Sequence, residues 1–119
     1  MAIPNLINIT SYYGKTTSTS VGTAITVLVS NPANSNKSYK IVAIYAANVD
    51  LTTTAHVSID FYRSSTSFRL VDKMSIVPGD SLVAMSRDNA IFLEEGDSLR
   101  CYSDQNDLVH ITVSYEVSA

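Results

Sequence analysis

The fold class follows from the stretch Ala90-Ile91-Phe92-Leu93-Glu94-Glu95-Gly96-Asp97-Ser98-Leu99-Arg100-Cys101-Tyr102, in which two strand-like runs flank an acidic turn. Gly96 supplies the positive φ that a tight reversal requires. The runs on both sides alternate apolar and polar residues with a period of two, which is the period of a β-strand. We therefore predict two strands paired across this turn, with the carboxylates of the turn facing solvent.

Similar runs recur along the rest of the chain, separated by turn signals roughly every ten residues. The clearest are residues 23–30, with Ile25, Val27 and Val29 on one face; residues 55–63, which form a hairpin with a return strand beginning at Phe68; the strand after the Pro78-Gly79-Asp80 turn; and residues 108–117. Many short strands of this kind are typical of sandwiches and barrels. We predict an all-β fold, a single-domain antiparallel β-sandwich or jelly-roll-like barrel of about eight strands.

Three segments are harder to assign. Residues 37–49 are the longest apolar run and fit a central strand buried on both sides, although two alanines leave a short helix as an alternative. Residues 15–20 are almost all Ser and Thr, which indicates a loop or a polar, frayed strand. Residues 1–13 fit an N-terminal arm or an edge strand, interrupted by Gly14.

Length indicates a single domain, and composition argues against nucleic-acid and membrane partners. The chain has 119 residues, which fits one domain spanning residues 1–119. Its formal net charge is −3 and its Lys and Arg residues are scattered singly, so we predict no nucleic-acid partner and expect these cations to be solvated at the surface. No apolar run approaches the ~20 residues of a membrane span, so we predict no membrane association. Only 16% of residues are charged, so Ser, Thr and Asn cover a surface suited to packing against other proteins.

The candidates for chemistry are few, and none forms a recognised motif. His56 and His110 could share a metal only if their strands were neighbours, and a stable site needs further ligands. Asp97, Asp104 and Asp107 are loosely suggestive of calcium, but Asx residues in turns ordinarily make local hydrogen bonds. Glu94, Glu95, Asp97 and Glu116 are the carboxylates from which a glycosidase pair could be drawn. We predict no catalytic residue, no cofactor, no metal and no enzymatic activity.

Cys101 is the only cysteine, so no disulfide forms within one chain, and we expect a small core or interface thiol in a protein made in a reducing cytoplasm.

Interfaces favour tyrosine because it buries a large ring while keeping a polar tip. The predicted interface residues are Ile3, Leu6, Ile7, Tyr12, Tyr13, Tyr62 and Tyr102.

Three segments resemble a family of small structural proteins of tailed bacteriophages, particularly phages of cyanobacteria. They are Met1–Thr10, Asp60–Phe68 and Ile91–Leu99. The resemblance spans nearly the whole chain but consists of turn and strand signatures, so it implies a virion component and assigns no functional residue.

Within that family, the resemblance implies one of two places in the particle. A capsid decoration (cement) protein would bind the major capsid protein as a homo-oligomer, in the form of a trimer, on the capsid surface of the virion after synthesis in the host cytoplasm. A neck, tail or fibre-associated component is the alternative. We prefer decoration because the chain has no heptads, repeats or second domain. A small carbohydrate-binding module, with tyrosines as the sugar platform, is a further alternative.

Overall fold

The computed structural model describes residues 11–85 and 91–119, and these ranges contain nine strands and no helix. The strands are β1 (Tyr12–Val21), β2 (Thr26–Ser30), β3 (Ser38–Asn48), β4 (Ala55–Arg63), β5 (Thr66–Ile76), β6 (Ser81–Met85), β7 (Ile91–Leu93), β8 (Ser98–Ser103) and β9 (Val109–Ser118). The described part of the chain therefore contains no helix long and apolar enough to cross a membrane.

The strands form two antiparallel sheets that pack face to face. Sheet I has the order β1-β9-β3-β6, and β7 also pairs with β3; sheet II has the order β2-β8-β4-β5. This confirms the predicted all-β sandwich. The outer strands of the two sheets contact each other, β1 with β2 and β5 with β6, so the core is enclosed on both sides.

The core consists of the inward side chains of both sheets. The fully buried large residues include Ile41, Ile44, Ile59, Leu93, Leu99, Ile111, Val57 and Val113. Burying a side chain of this size contributes about 1.5–3 kcal/mol relative to leaving it in water. Cys101 belongs to the same cluster, so the expectation of a core thiol is confirmed.

Residues 37–49 form a strand and not a helix. β3 lies in the interior of sheet I, between β9 on one side and β6 and β7 on the other. Four consecutive residues from Ile41 to Ile44 are buried, which a regular strand with one solvated face would not allow. The register between β3 and β9 shifts between Ile41 and Ala43, so a β-bulge at Val42 accounts for the break in alternation.

The hairpin around residues 64–67 is confirmed. β4 and β5 pair antiparallel, Arg63 opposite Thr66, and the turn residues Ser64 and Ser65 both have positive φ, 53° and 60°. Val57 and Ile59 of β4 are buried, and Phe61 packs against the core, as the alternation predicts.

The prediction for residues 90–102 is wrong in its pairing. The turn exists, because Gly96 has a φ of 89° and Asp97 N donates to Glu94 O at 3.0 Å. However, β7 before it pairs with β3 in sheet I, whereas β8 after it pairs with β2 and β4 in sheet II. The turn therefore carries the chain from one sheet to the other and does not join neighbouring strands.

The structure decides one open local alternative and corrects another local prediction. Residues 15–20 lie within β1, which pairs with β9 along its whole length through Gly14, so the polar-strand alternative is the correct one. In the segment 23–30, Ile25 and Val27 are exposed while Leu28 and Val29 are buried. The register between β2 and β8 shifts between Val27 and Val29. Because of this bulge, Val27 faces solvent and Val29 faces the core, although simple alternation puts them on the same face.

Buried asparagines hold the loops at both ends of the sandwich. The Asn31 side chain donates to Lys37 O and Leu93 O, both at 2.9 Å. The Asn48 side chain donates to Thr53 O at 2.9 Å and Ile76 O at 2.8 Å. These amides bond carbonyls in loops and at strand ends, so irregular backbone is tolerated beside the core.

Candidate interaction surfaces

The outer face of sheet II carries a row of two tyrosine and two arginine side chains, which we call the Tyr–Arg face: Tyr62, Arg100, Arg69 and Tyr102, over the buried Asp60. Register explains the arrangement, because Asp60 of β4 lies opposite both Arg69 of β5 and Arg100 of β8. Directly opposite residues project from the same side of a sheet, so these side chains meet on one surface.

Each arginine on this face contacts a tyrosine ring. The guanidinium carbon of Arg100 lies 4.1 Å from the ring centroid of Tyr62, and that of Arg69 lies 5.4 Å from the centroid of Tyr102. Arg69 Nη2 also donates to the Tyr102 hydroxyl at 2.9 Å. Cation–π contacts of this kind contribute about 0.5–1 kcal/mol at exposed sites. They hold the four side chains in a defined arrangement before any partner binds.

Asp60 lies beneath these four side chains and holds Arg69 in place. Its side chain is buried, with 4% of the residue exposed, and it accepts a hydrogen bond from Arg69 Nε. Arg69 also pairs with Asp72. Burial lowers the pKa of Arg69, but the hydrogen bond and charge of Asp60 outweigh that effect and raise it. Arg100 differs, because within residues 11–85 and 91–119 it has no carboxylate at ion-pair distance.

The outer face of sheet I is different in chemistry, being rich in hydroxyl groups. Thr16 and Ser114 are joined at 3.1 Å and Ser18 and Thr112 at 2.9 Å, across β1 and β9. Tyr45 lies opposite Thr112 and is exposed. This face offers hydroxyl groups beside the exposed ring of Tyr45.

The structure brings together only part of the predicted interface. Tyr62 and Tyr102 lie together on the Tyr–Arg face. Tyr12 and Tyr13 are exposed at the start of β1, in the other sheet. The predictions for Ile3, Leu6 and Ile7, and for the arm before Ser11, lie outside the described residues.

The acidic turn is not a solvated reversal, so that expectation is wrong. Asp97 is 1% exposed and Glu95 7% exposed. Arg63 binds Asp97 with two hydrogen bonds, Nε to Oδ1 at 2.9 Å and Nη2 to Oδ2 at 2.6 Å, and Nη2 also lies 2.9 Å from Glu94 Oε2. The hydrogen bond to Asp97 raises the pKa of Arg63. Arg63 and Arg69 are therefore not the solvated cations that the sequence predicts.

The other side chains considered for chemistry lie apart. His56 is on β4 of sheet II and His110 on β9 of sheet I, so they share no site. His56 Nδ1 lies 2.8 Å from Asp104 Oδ2, and Ser20 donates to Asp107 at 3.3 Å. The described residues contain no group of three or more His, Cys, Asp or Glu side chains placed to hold a metal ion.

Sequence reasoning missed Asp60, Arg69 and Arg100 as members of the surface. The available signal was a charged residue between two apolar ones within a strand, since Asp60 follows Ile59 and precedes Phe61. A carboxylate at such a position needs a cation from a neighbouring strand. Which arginine supplies it depends on the strand order, and the strand order was not predicted.

The sequence matches no protein-family model and no curated relative. In fold, the chain is similar to a protein of Bacillus endospore appendages, which form a family of disulfide-linked pili. The TM-score is 0.53 at 11% sequence identity, and the alignment covers 99% of this chain and 95% of that one. Likeness at this identity shows the fold alone. The resemblance to phage virion proteins is not confirmed by these comparisons and stays a prediction.

Proposed function

We propose that this protein is a non-enzymatic structural subunit of a phage virion, a capsid decoration protein that binds the major capsid lattice as a homo-oligomer. The observation that carries the proposal is the Tyr–Arg face. Tyrosine and arginine dominate the binding energy of protein interfaces, especially where they are held in place beforehand. Here Asp60 fixes Arg69, and the tyrosine rings support both guanidinium groups.

The sequence resemblance and the surface composition support the same role. A decoration protein adheres by many weak contacts repeated by symmetry, so one subunit needs only modest affinity. A face of rigid aromatic and guanidinium groups on a β-sandwich suits such adhesion, because little side-chain freedom is lost on binding.

The proposal is tested by binding to capsids. Purified protein is mixed with phage particles that lack it, the particles are sedimented, and the bound fraction is measured over a range of concentrations. We expect saturable binding that Tyr62→Ser and Tyr102→Ser each weaken about 30-fold, the equivalent of about 2 kcal/mol for an interface hot spot.

A matched control truncates an apolar side chain away from this face. Leu51 is 91% exposed in the loop between β3 and β4, so Leu51→Ser is expected to leave both folding and particle binding unchanged. No binding of wild-type protein to the particles would refute the decoration role. Binding at the neck, tail or fibre, located by electron microscopy, would favour the alternative position.

A subunit of a fibrous appendage is the second candidate, favoured by the fold shared with the endospore appendage protein. That protein belongs to disulfide-linked pili. In this chain, Cys101 is 1% exposed, and burial together with the nearby Asp60 raises the pKa of its thiol to about 12. A buried, protonated thiol does not exchange disulfides. A fibre of this protein would therefore be held by non-covalent contacts, and purified protein would form it under reducing conditions.

A further inference from the structure

The outer face of sheet I contains a depression of about 390 Å³ between β1 and β9. Among the described residues, the side chains that line it carry hydroxyl or imidazole groups and no ammonium, guanidinium or carboxylate group: Ser18, Thr19, Ser20, His110 and Thr112. A depression of this size falls in the range of sites for small molecules, about 300–1,000 Å³. Its lining suits a polar ligand that has no ionic group.

The hydroxyl groups of this depression retain capacity for further hydrogen bonds. Ser18 Oγ and Thr112 Oγ1 are joined at 2.9 Å. A hydroxyl group donates one hydrogen bond and accepts two, so the pair keeps one O–H donor and further acceptor positions after this contact. The exposed imidazole of His110 adds two ring nitrogens. These groups can both donate to and accept from the hydroxyl groups of a ligand.

An exposed aromatic ring adjoins the hydroxyl groups. Tyr45 of β3 lies opposite Thr112 and is 47% exposed. Ala43 and Ala47 project on the same side of β3, and their methyl groups are too small to cover the ring. On the next strand, Val83 lies opposite Tyr45 and is also exposed. The surface therefore has an apolar side on β3 and β6 beside a hydroxyl-rich side on β1 and β9.

The charged groups near the depression indicate which ligands it disfavours. Asp107 lies at one end, where Ser20 Oγ donates to its carboxylate at 3.3 Å. Lys40 and Glu116 lie opposite each other on the same face, but Glu116 is four residues from Thr112 along β9, roughly 13 Å. An anionic ligand would meet the Asp107 carboxylate and find no cation among the described side chains that line the depression. A neutral ligand avoids this repulsion.

We propose that this surface binds a neutral carbohydrate, with a sugar ring stacked on Tyr45 and sugar hydroxyl groups bonded to Thr112 and His110. A pyranose ring has faces of C–H groups and a rim of hydroxyl groups, so it matches a surface that is apolar on one side and hydroxyl-rich on the other. The Tyr–Arg face lies on the other sheet, so a subunit bound to the capsid through sheet II presents the carbohydrate site away from the capsid. Only this orientation rests on the proposed capsid contact.

Binding to defined sugars tests the site. The protein is applied to an array of neutral oligosaccharides of glucose, mannose, galactose and N-acetylglucosamine, with oligogalacturonate as the anionic counterpart. Isothermal titration calorimetry then measures affinity for the neutral oligosaccharide that binds best. We expect Tyr45→Ser to weaken this binding at least about 10-fold, because the ring contact is lost. Tyr62→Ser makes the same change on the opposite sheet and is expected to leave sugar binding unchanged.

A second variant tests the hydroxyl side of the site. Thr112→Val removes one hydroxyl group while keeping the shape of the side chain, and valine is favoured in strands. We expect an equal or higher melting temperature together with sugar binding about 5-fold weaker, because one hydrogen bond is lost. Thr66→Val makes the same change at an exposed position of β5 and is expected to bind the sugar as wild type does.

Three results would overturn the carbohydrate site: no binding to any neutral oligosaccharide of the array, binding to oligogalacturonate alone, or equal affinity of wild type and Tyr45→Ser. The same Tyr45→Ser variant is expected to bind phage particles as wild type does, and loss of that binding would overturn the orientation. Sugar binding without capsid binding would remove the decoration role and keep the site, whereas capsid binding without sugar binding would do the reverse.

Discussion

At the scale of single residues, polar groups that the sequence marks as ordinary surface residues are the ones that organise the interior. Asp97 and Asp60 are both nearly inaccessible, and each is paired with an arginine from another part of the chain. An isolated carboxylate buried in this way would be strongly destabilising. Charged residues inside strand patterns therefore predict partners, and the partners are found only across the sheets.

The buried Cys101 thiol allows a prediction of how the free energy of unfolding changes at alkaline pH. Burial, and secondarily the charge of Asp60, raises the pKa of this thiol from 9.0 to about 12. In the unfolded chain the thiol ionises near pH 9, while the folded protein keeps the proton, so the unfolded state binds fewer protons and gains stability as pH rises. We expect the free energy of unfolding to fall by about 2 kcal/mol between pH 9 and pH 11 from this group alone.

Urea denaturation of wild type and Cys101→Ala at several pH values checks this expectation. The variant loses some stability at neutral pH because its smaller side chain leaves a cavity, but its decline above pH 9 is expected to be shallower. All other ionisable groups are the same in both proteins, so only the difference between the two curves reports on the thiol. Parallel curves would show that the Cys101 thiol ionises equally easily in the folded and the unfolded protein, which would contradict the prediction.

At the scale of elements, bulges and turns decide which face of a strand meets the core. The bulge at Val42 allows four consecutive residues of β3 to be buried, and the one near Leu28 exposes Val27. Such irregularities shift the alternation by one residue, so a strand can be assigned correctly and its buried face still be predicted wrongly. Strands without an internal shift, such as the part of β9 from Val109 to Val113, follow the predicted alternation.

The β4–β5 hairpin stores backbone strain that a substitution should relieve. Ser64 and Ser65 both lie in the left-handed region, with φ of 53° and 60°, in a two-residue turn between paired strands. Asn-Gly is the preferred sequence for such a turn because these residues adopt positive φ at lower cost. We expect the double variant Ser64→Asn/Ser65→Gly to be more stable by about 1 kcal/mol, measured by urea denaturation.

Ser75→Gly provides the comparison for that experiment. Ser75 is an exposed residue of β5 opposite His56, in extended backbone where glycine gives no conformational advantage. The same type of change there is expected to lower stability by about 0.5–1 kcal/mol. Equal effects at the two positions would show that the turn is not strained in solution.

At the scale of the whole molecule, the turn between β7 and β8 links the two sheets, because the chain crosses there from one sheet to the other. Asp97 follows the crossing turn, and Arg63 closes β4 at the same end of the sandwich. Backbone bonds join this turn to Asn31, which donates to Asp97 O at 2.9 Å and accepts from Gly96 N at 2.8 Å. The turn, the hairpin end and the loop after β2 therefore form one connected unit.

Removing the Asp97 carboxylate should loosen this end of the sandwich. Asp97→Ala leaves Arg63 and Glu94 N without their shared acceptor, and we expect a loss of about 3 kcal/mol in the free energy of unfolding, as for a broken buried ion pair. Glu94→Ala removes only the more exposed partner of Arg63 and is expected to cost at most about 1 kcal/mol. Chemical denaturation compares the two variants, and similar losses would contradict the role given to Asp97.

The sequence alone determined the all-β class, the β4–β5 hairpin and most strand positions, and it limited the architecture to a sandwich or a barrel. These depend on local properties: the period of two, the turn residues and the requirement that apolar side chains leave water. It also marked Tyr62 and Tyr102 as surface candidates, because tyrosine buries a large ring while keeping a polar tip.

Only the tertiary structure decided which strands are neighbours, and through that the course of the segment 90–102. Its turn has the residues of a hairpin, yet β7 and β8 join different sheets, because pairing is chosen by long-range packing and not by the turn. The same choice buries Asp97 against Arg63 and places Arg69 and Arg100 beside the tyrosines. Contacts between residues distant in sequence have no signature in local pattern, so the candidate surface emerges only when the sheets are assembled.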